Sequence, residues 1–257
     1  MRLATWNINS LTVRMPQVLD WLEKNPVDVL ALQEIKMTDD KFPAKEFASA
    51  GYQSQWFGQK TYNGVALLSR SVATDVVRNI PGFADDMARV ISANVDGVRV
   101  IGAYFPNGQA PGTDKFEYKM HWLRALRDWV RAELELHPRL MLLGDYNITF
   151  DDADVWDPIG LKDSIHCTEE ERYHLRALVA LGLTDAHRLF EQPPKSYSWW
   201  DYRDFAFRRN HGLRIDHILV SPALAPLVKA CAIDKIPRKN ERPSDHAPVV
   251  VVVELAG

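Results

Sequence analysis

The chain has 257 residues, of which 46% are hydrophobic and 25% are charged. This composition is that of an ordinary globular protein and excludes disordered and fibrous classes. The formal net charge of -3 gives no sign of a protein that binds polyanions through its bulk charge. The longest apolar run, Pro248 to Val253, is far too short for a membrane helix, so no membrane partner is expected.

The N-terminus and the cysteines bear on the compartment. The first residues reach the polar Asn7 and Asn9 too early to contain the hydrophobic region of a signal peptide, so we expect a cytoplasmic protein. Cys167 and Cys231 have a spacing that favours neither a disulfide framework nor a cysteine zinc site. No repeat or low-complexity linker divides the chain, so residues 1–257 are predicted to form a single domain.

The hydrophobic pattern of the N-terminal half predicts many strands and one early helix. Apolar alternation and β-branched runs indicate the strands, and a 3.6-residue period indicates the helix. Asp96-Gly97 lies between two apolar runs, which is a strong signal for a two-residue hairpin. In chain order we expect a strand at 2–9, a helix at 15–24, and strands at 27–34, 52–58, 65–70, 89–95 and 98–104.

The C-terminal half contains the longer helices. Thr168 to Glu171 reads as a capping box that opens a helix running to about Leu181. The other predicted elements are a helix at 115–136 and strands at 139–143, 196–200, 214–220 and 247–254. Because strands are many and helices few, we predict two sheets packed face to face and flanked by helices, rather than a regular parallel doubly wound sheet.

Polar side chains occupy the ends of several predicted strands. Asn7, Glu34 and Asp145 each follow an apolar strand, whereas Asp245-His246 precedes the last one. In a sheet with antiparallel pairs, the start of one strand lies beside the ends of its neighbours, so these groups can converge on one rim. Carboxylates and carboxamides without cysteine suit Mg²⁺, or alternatively Mn²⁺, better than Zn²⁺.

Two basic segments lie near the C-terminus. The first, Asp201 to Arg214, contains Arg203, Arg208 and Arg209, and the second runs from Lys235 to Arg242. From Tyr197 to Arg214 aromatic residues alternate with arginines, a pattern typical of stacking on bases combined with contacts to a nucleic-acid backbone. Burial of the aromatic rings in the core is the structural alternative.

Seven motifs together resemble those of the exonuclease III-type DNA repair nucleases. They occur in the order found in that family, with Tyr146 where phenylalanine is usual. The motifs are T-W-N-I-N-S (5–10), L-Q-E (32–34), N-G-V-A (63–66), Y-F-P-N-G (104–108), G-D-Y-N-I (144–148), G-L-R-I-D-H (212–217) and P-S-D-H-A-P (243–248). The resemblance implies a four-layer α/β/β/α sandwich. It also implies metal-dependent hydrolysis of phosphodiester bonds in duplex DNA, with 3′-to-5′ exonuclease and 3′-end processing activities, and it leaves abasic-site cleavage open.

The resemblance also implies roles for individual residues. Glu34 resembles the principal carboxylate ligand of the metal, and Asp145 the residue that orients and deprotonates the attacking water. The implied metal ligands are Glu34, Asn7, Asp145, Asn147 and Asp245, and the implied catalytic residues are Asp145, Asn147, Tyr104, His246 and its partner Asp216. Asparagine cannot titrate, so Asn147 can only position and polarise.

The implied partner is duplex DNA with 3′ ends, gaps or abasic sites, bound by a monomer. Residues expected to contact the DNA are Asn107, Trp199, Trp200, Arg209, Leu213, Ile215 and His166. His166 lies in the loop that follows the G-D-Y-N-I motif, and its imidazole can fill the space that an abasic sugar needs. We therefore expect His166 to favour 3′-terminal nucleotides over internal abasic sites; a surface histidine on a loop is the alternative.

Two other classes of function remain open at this point. The same fold and a similar set of residues serve phosphodiesterases and phosphatases that act on phospholipids or inositol phosphates. A DNA-binding module without activity is the other alternative. Secreted deoxyribonucleases are disfavoured, because two isolated cysteines in a chain without a signal peptide do not fit a disulfide-bonded secreted enzyme.

Overall fold

Two six-stranded mixed sheets form the centre of the computed structural model, which describes residues 1–255. The first sheet has the order β11-β12-β1-β2-β4-β3, and the second has the order β5-β6-β7-β8-β10-β9. Their strands are β1 (Arg2–Asn7), β2 (Val29–Gln33), β3 (Gln53–Phe57), β4 (Val65–Ser69), β5 (Thr74–Arg78), β6 (Val90–Val95), β7 (Val98–Tyr104), β8 (Leu140–Asp145), β9 (Thr184–Asp185), β10 (Asp216–Val220), β11 (Val228–Ile233) and β12 (Val249–Val253).

Helices cover the outer faces of both sheets. The helices are α1 (Leu11–Lys24), α2 (Ala44–Ser49), α3 (Asp114–Leu136), α4 (Glu169–Val179) and α5 (Ala206–Arg209). Leu22 of α1 and Phe47 of α2 belong to the apolar cluster on the outer face of the first sheet, and Leu126 of α3 and Leu175 of α4 to the cluster on the second. None of the helices in residues 1–255 has the length and apolarity needed to cross a bilayer.

The inner faces of the two sheets form a third apolar cluster between them. Leu3 and Ala31 of the first sheet share this cluster with Ile91 and Leu143 of the second, whereas the next residue in β1, Ala4, packs on the outer face. This alternation follows from the two-residue period of a strand. The predicted four-layer α/β/β/α sandwich is therefore confirmed.

Several predicted elements are corrected by the structure. Residues 196–200 do not form a strand; Trp199 makes only isolated bridges, to Leu213 and His246. The strands β5 and β11 and the short helix α2 were not predicted. Both strands lie at sheet edges, where exposed polar residues interrupt the apolar alternation. Helix α1 begins at Leu11, before its predicted start, and includes Pro16.

Strand pairing brings the ends of several strands to one rim. The parallel pair β7 and β8 places Tyr104 beside Asp145, and the antiparallel pair β8 and β10 places Asp216 beside the same Asp145. Strand β1 pairs in parallel with β2 and antiparallel with β12, so Asn7 lies near the start of β12. Because β1 and β8 contact each other across the two sheets, both sheets contribute to this rim.

Candidate active site

Glu34 and Asp145 are the two carboxylates at the centre of the rim. The Nδ2 atom of Asn7 donates hydrogen bonds to both, at 2.9 Å to Glu34 Oε1 and 2.9 Å to Asp145 Oδ2. Ligand atoms of Glu34, Asp145 and His246 lie within 4.8 Å of one another. Asn7 Oδ1 already accepts the backbone N–H of Asn9. Asn7 therefore positions the two carboxylates, and its role as a metal ligand stays a prediction.

A tight turn after β8 holds Asp145 and Asn147 together. Asn147 has a left-handed backbone, with φ 50°, and its N–H donates to Asp145 Oδ1 at 2.9 Å. Its Nδ2 donates to the carbonyl of Phe105 at 3.0 Å and lies 3.3 Å from Asp145 Oδ2. A Cβ at Gly144 would come within 1.8 Å of the Ala103 carbonyl oxygen, so only glycine fits before Asp145.

His246 is held by Asp216 and faces Asp145. Its Nδ1 lies 2.9 Å from Asp216 Oδ2, and its Nε2 lies 3.7 Å from Asp145 Oδ2. Burial acts to lower the pKa of His246, but the charges of Asp216 and Asp145 raise it to about 10. At neutral pH the ring is an imidazolium whose two nitrogens both donate, so it is not a metal ligand in this state.

The electrostatics of the site fit a divalent cation. Burial raises the pKa of Asp145 to about 7, and the charges of Asp216 and Glu34 add to that rise while His246 opposes it. Asp145 thus lies in a buried space beside two other carboxyl groups, and their charges disfavour its ionisation. The oxygens of Glu34 and Asp145 are hard donors, which match the ligands that Mg²⁺ and Mn²⁺ prefer.

The side chains of Asp245 and Asn147 have hydrogen-bond partners around this pair of carboxylates, and their role as metal ligands stays a prediction. Asp245 Oδ1 accepts from Asn9 Nδ2 at 3.0 Å, and its Oδ2 accepts from Trp199 Nε1 at 2.9 Å. These bonds connect Asp245 to Asn9 and to the Trp199 ring. The Asn147 amide is engaged with Phe105 and Asp145, as described above. In this arrangement both residues hold the site in shape.

Two residues at the site were missed by sequence reasoning. The Lys36 ammonium lies 2.9 Å from Glu34 Oε2 and also donates to Asn9 Oδ1. Asn9 therefore links the Glu34–Lys36 ion pair to Asp245. The available signal was their position, because each follows a predicted ligand, Asn7 or Glu34, by two residues in a polar loop.

Tyr104 and Asn107 lie on the β7 side of the rim. Burial raises the pKa of Tyr104 well above its ordinary value, and the charges of Glu34 and Asp145 raise it further, so its hydroxyl stays protonated. Asn107 is exposed, and its Nδ2 lies 3.5 Å from Asn147 Oδ1. Both side chains present donors beside the two carboxylates.

A cavity of about 720 Å³ opens beside Trp199. Four of the residues predicted to contact DNA line it: Trp199, Leu213, Arg209 and His166. The other three do not line it: Asn107 lies at the rim, as described above, and Trp200 and Ile215 are buried. Trp200 is fully buried against Phe207, and Ile215 packs in a small apolar cluster with Leu213 behind the wall. The structure therefore places Trp200 and Ile215 behind the cavity wall, and their contact with DNA stays a prediction.

His166 forms part of the cavity wall and contacts the catalytic turn. Its Nδ1 lies 2.7 Å from the carbonyl oxygen of Asn147. A carbonyl can only accept, so Nδ1 carries the hydrogen. Burial lowers the pKa of His166 to about 4, and the ring is therefore neutral at pH 7.

A second buried histidine, His217, lies on β10 behind the site. Its Nε2 is 2.7 Å from the carbonyl oxygen of Ile148, and its Nδ1 is 3.1 Å from Arg214 Nη1. The carbonyl requires the hydrogen on Nε2, so Nδ1 accepts from the guanidinium. Burial and the charge of Arg214 lower the pKa of His217 to about 3. Protonation of His217 would put a hydrogen on Nδ1, and two donors, His217 Nδ1 and Arg214 Nη1, would then face each other.

We expect His217 to make the fold sensitive to acid. The folded pKa lies below the ordinary value of 6.5, so the unfolded chain takes up a proton first as the pH falls. This histidine's contribution is complete above about pH 6.5 and decreases by about 2 kcal/mol between pH 7 and pH 5. In urea unfolding at the two pH values, His217→Gln should lose correspondingly less stability than the unmodified chain. An identical loss in both proteins would contradict the expectation.

Comparison with known proteins places the chain in a family. The model of the endonuclease/exonuclease/phosphatase family matches residues 4–246. Exodeoxyribonuclease III of Haemophilus influenzae is 35% identical, and the match covers 97% of this chain and 98% of that protein. The structure of the 3′ phosphatase NExo from Neisseria, bound to a product DNA hairpin, superposes with a TM-score of 0.98 at 49% identity, covering 99% of this chain and all of the other. An AP endonuclease from Archaeoglobus fulgidus superposes with a TM-score of 0.96 at 34% identity, with 99% and 100% of the two chains covered. The chain therefore belongs to the endonuclease/exonuclease/phosphatase family.

Proposed function

We propose that the protein is a Mg²⁺-dependent DNA phosphodiesterase of base-excision repair that acts at the 3′ ends of duplex DNA, as a 3′-to-5′ exonuclease and a remover of 3′ blocking groups. The observation that carries the proposal is the juxtaposition of the Glu34–Asp145 pair, the His246 imidazolium and the cavity beside Trp199. The names of the exodeoxyribonuclease III and 3′ phosphatase relatives support the substrate class.

The residues of the site have separate roles in in-line hydrolysis. Asp145, which is held in place by the Asn7 amide and the Asn147 N–H, accepts the proton of the attacking water. Asn147 positions that water, while His246 and the Tyr104 hydroxyl donate to the oxygens of the scissile phosphate. Glu34 and Asp145 would hold a Mg²⁺ ion, which would supply positive charge to the phosphate. The products are a 3′-hydroxyl and a released nucleotide or phosphate.

The cavity offers a place for the nucleotide next to the scissile bond. Its volume of about 720 Å³ falls in the range of small-ligand sites. Trp199 and Leu213 supply apolar surface for a sugar or base, and the Arg209 guanidinium supplies positive charge for the backbone. Because Trp199 donates to Asp245, this wall is tied directly to the catalytic rim.

One assay tests the proposed function. A duplex with a labelled 3′ end is prepared with a 3′-hydroxyl, with a 3′-phosphate, or with one internal abasic site. The protein should release mononucleotides and phosphate from the first two with Mg²⁺ and nothing in the presence of a chelator. Binding without cleavage, or hydrolysis of a phosphoinositide in place of DNA, would contradict the proposal.

His166 is proposed to set the balance between terminal and internal substrates. Its ring occupies the cavity wall and is fixed there by the Asn147 carbonyl. An internal abasic sugar has to swing out of the helix into this space, whereas a 3′-terminal nucleotide has a free end. The imidazole therefore obstructs the first substrate more than the second.

We expect His166→Gly to raise the ratio of abasic-site cleavage to exonuclease activity by about tenfold or more, equivalent to roughly 1.4 kcal/mol of barrier. The backbone φ at position 166 is 74°, which glycine adopts without strain, so folding should be preserved. The measurement is the rate on each substrate at saturating Mg²⁺. Ser164→Gly, in the same loop and also at the cavity, is the matched control and should leave the ratio unchanged. An unchanged ratio for His166→Gly would remove His166 from the proposal.

A further inference from the structure

Lys119 is a fully buried lysine beneath the active site. It lies in the second turn of α3, and its ammonium has 0% exposed surface. The Nζ atom contacts three acceptors: the carbonyl of Asn147 at 2.8 Å, the carbonyl of Asn107 at 3.1 Å, and Glu171 Oε1 at 2.5 Å. An ammonium has three hydrogens, so every donor of this lysine is used.

Glu171 completes the arrangement from the other helix. It is the third residue of α4, and its Oε2 accepts from the backbone and the hydroxyl of Thr168 in the predicted capping box. The ion pair therefore joins α3 to α4, while the two remaining hydrogens of Lys119 reach the loops after β7 and β8. Those loops carry the side chains of Asn107 and Asn147, which lie 3.5 Å apart.

The local backbone is shaped around the lysine. A Cβ at Gly108 would lie 2.9 Å from Lys119 Cδ, and Gly108 itself has φ 87°. Any other residue at position 108 would thus meet the lysine stem and strain the backbone. The glycine that follows Asn107 is explained by the passage of this side chain to the two carbonyls.

A contact between α3 and α4 does not require a buried ion pair. Apolar side chains of similar volume often replace buried ion pairs without loss of stability. What they cannot replace is the pair of hydrogen bonds from one ammonium to the carbonyls of Asn107 and Asn147. We infer that Lys119 is a positioning residue for catalysis, which fixes the orientation of the Asn147 and Asn107 side chains towards the phosphate through their peptide groups.

This inference rests on the proposed roles of Asn107 and Asn147. The experiment distinguishes a failure of the inference from a failure of those roles. The variant E171Q removes the charge of the partner. Its single amide oxygen can accept from Thr168 in the capping box, and its NH2 group then faces Lys119. A neutral Lys119 amine can accept from that NH2 group and still donate its two hydrogens to both carbonyls. The variant K119M/E171Q differs from E171Q only in losing those donors. Both variants lack the ion pair, so the comparison isolates the positioning hydrogen bonds.

We expect E171Q to keep a kcat within about threefold of the unmodified chain and K119M/E171Q to lose about 10- to 100-fold in kcat, as a misplaced catalytic group does. The Kd for duplex DNA should be equal in the two variants, because Lys119 is buried and does not reach the DNA. Thermal unfolding fixes an assay temperature at which both are folded. If K119M/E171Q does not fold, K119L/E171Q is compared with E171Q in the same way.

A matched control is an ion pair that joins the same helix to strand β7. Arg99 and Glu133 form another buried ion pair at the far end of α3, with Arg99 Nε 2.6 Å from Glu133 Oε2. The variant R99M/E133Q should lower the unfolding temperature without changing kcat. An equal loss of kcat in this control, or equal kcat in E171Q and K119M/E171Q, would overturn the inference. Asn147→Ala tests the underlying role: if it leaves kcat unchanged, the proposed mechanism fails and not only the positioning by Lys119.

Discussion

Asp145→Asn should abolish cleavage while leaving a folded protein that binds DNA. The amide cannot accept the proton of the attacking water and carries no charge for a metal ion, so we expect kcat to fall by about 10³-fold or more. The same change removes a buried carboxyl group whose ionisation is disfavoured by burial and by the charges of Asp216 and Glu34. The free energy of unfolding should therefore stay the same or rise. Single-turnover cleavage and urea unfolding measure the two effects.

The control for this variant is the next residue in the chain. Tyr146 points away from the site, where its hydroxyl donates to the carbonyl of Leu142 at 2.8 Å and its ring stacks on Phe105. Tyr146→Phe should leave kcat unchanged, which shows that the turn tolerates substitution. If Asp145→Asn kept more than a tenth of the activity, another group would have to be the base.

Glu34→Gln should raise the Mg²⁺ concentration needed for half-maximal activity and lower the maximal rate. We expect a loss of about 10²-fold or more in kcat, since a carboxylate that holds the cation is replaced by a neutral amide. The change also leaves the Lys36 ammonium, now 2.9 Å from Glu34 Oε2, without a negative partner at that position. Titration of activity with Mg²⁺ at fixed DNA concentration is the measurement.

An exposed glutamate provides the comparison for Glu34. Glu46 lies on α2 at the surface, so Glu46→Gln changes the net charge equally without touching the rim. Its Mg²⁺ titration should match that of the unmodified chain. Near-native turnover of Glu34→Gln at saturating Mg²⁺ would show that Glu34 is not a metal ligand.

The sequence allowed the layers and the rim to be predicted because both follow from strand patterns. Alternation in β1 and β7 separates inner from outer faces, and polar residues at strand ends mark where the chain leaves the core. The edge strands β5 and β11 escaped prediction because their exposed polar residues obscure the period. A weak hydrophobic pattern in an edge strand gives little information about which distant segment of the chain it pairs with.

The finer assignments depended on geometry that no pattern contains. Trp199 and Trp200 are adjacent in sequence, yet one lines the cavity and the other is buried behind it. The irregular backbone of residues 196–200 decides which ring faces out. Likewise the contacts of Asp245 with Asn9 and Trp199 depend on a loop packing that only the folded chain defines.

The pairing of the first and last long strands of the first sheet has a consequence for biosynthesis. Asn9 and Asp245, which bond to each other at the rim, are separated by 236 positions in the chain. A nascent polypeptide emerging from the ribosome thus holds Asn7 and Glu34 long before it holds His246. A fragment that ends before His246 lacks the imidazolium proposed to contact the phosphate, so it lacks a complete hydrolytic centre. The site is complete only when β12, which follows His246, has paired with β1.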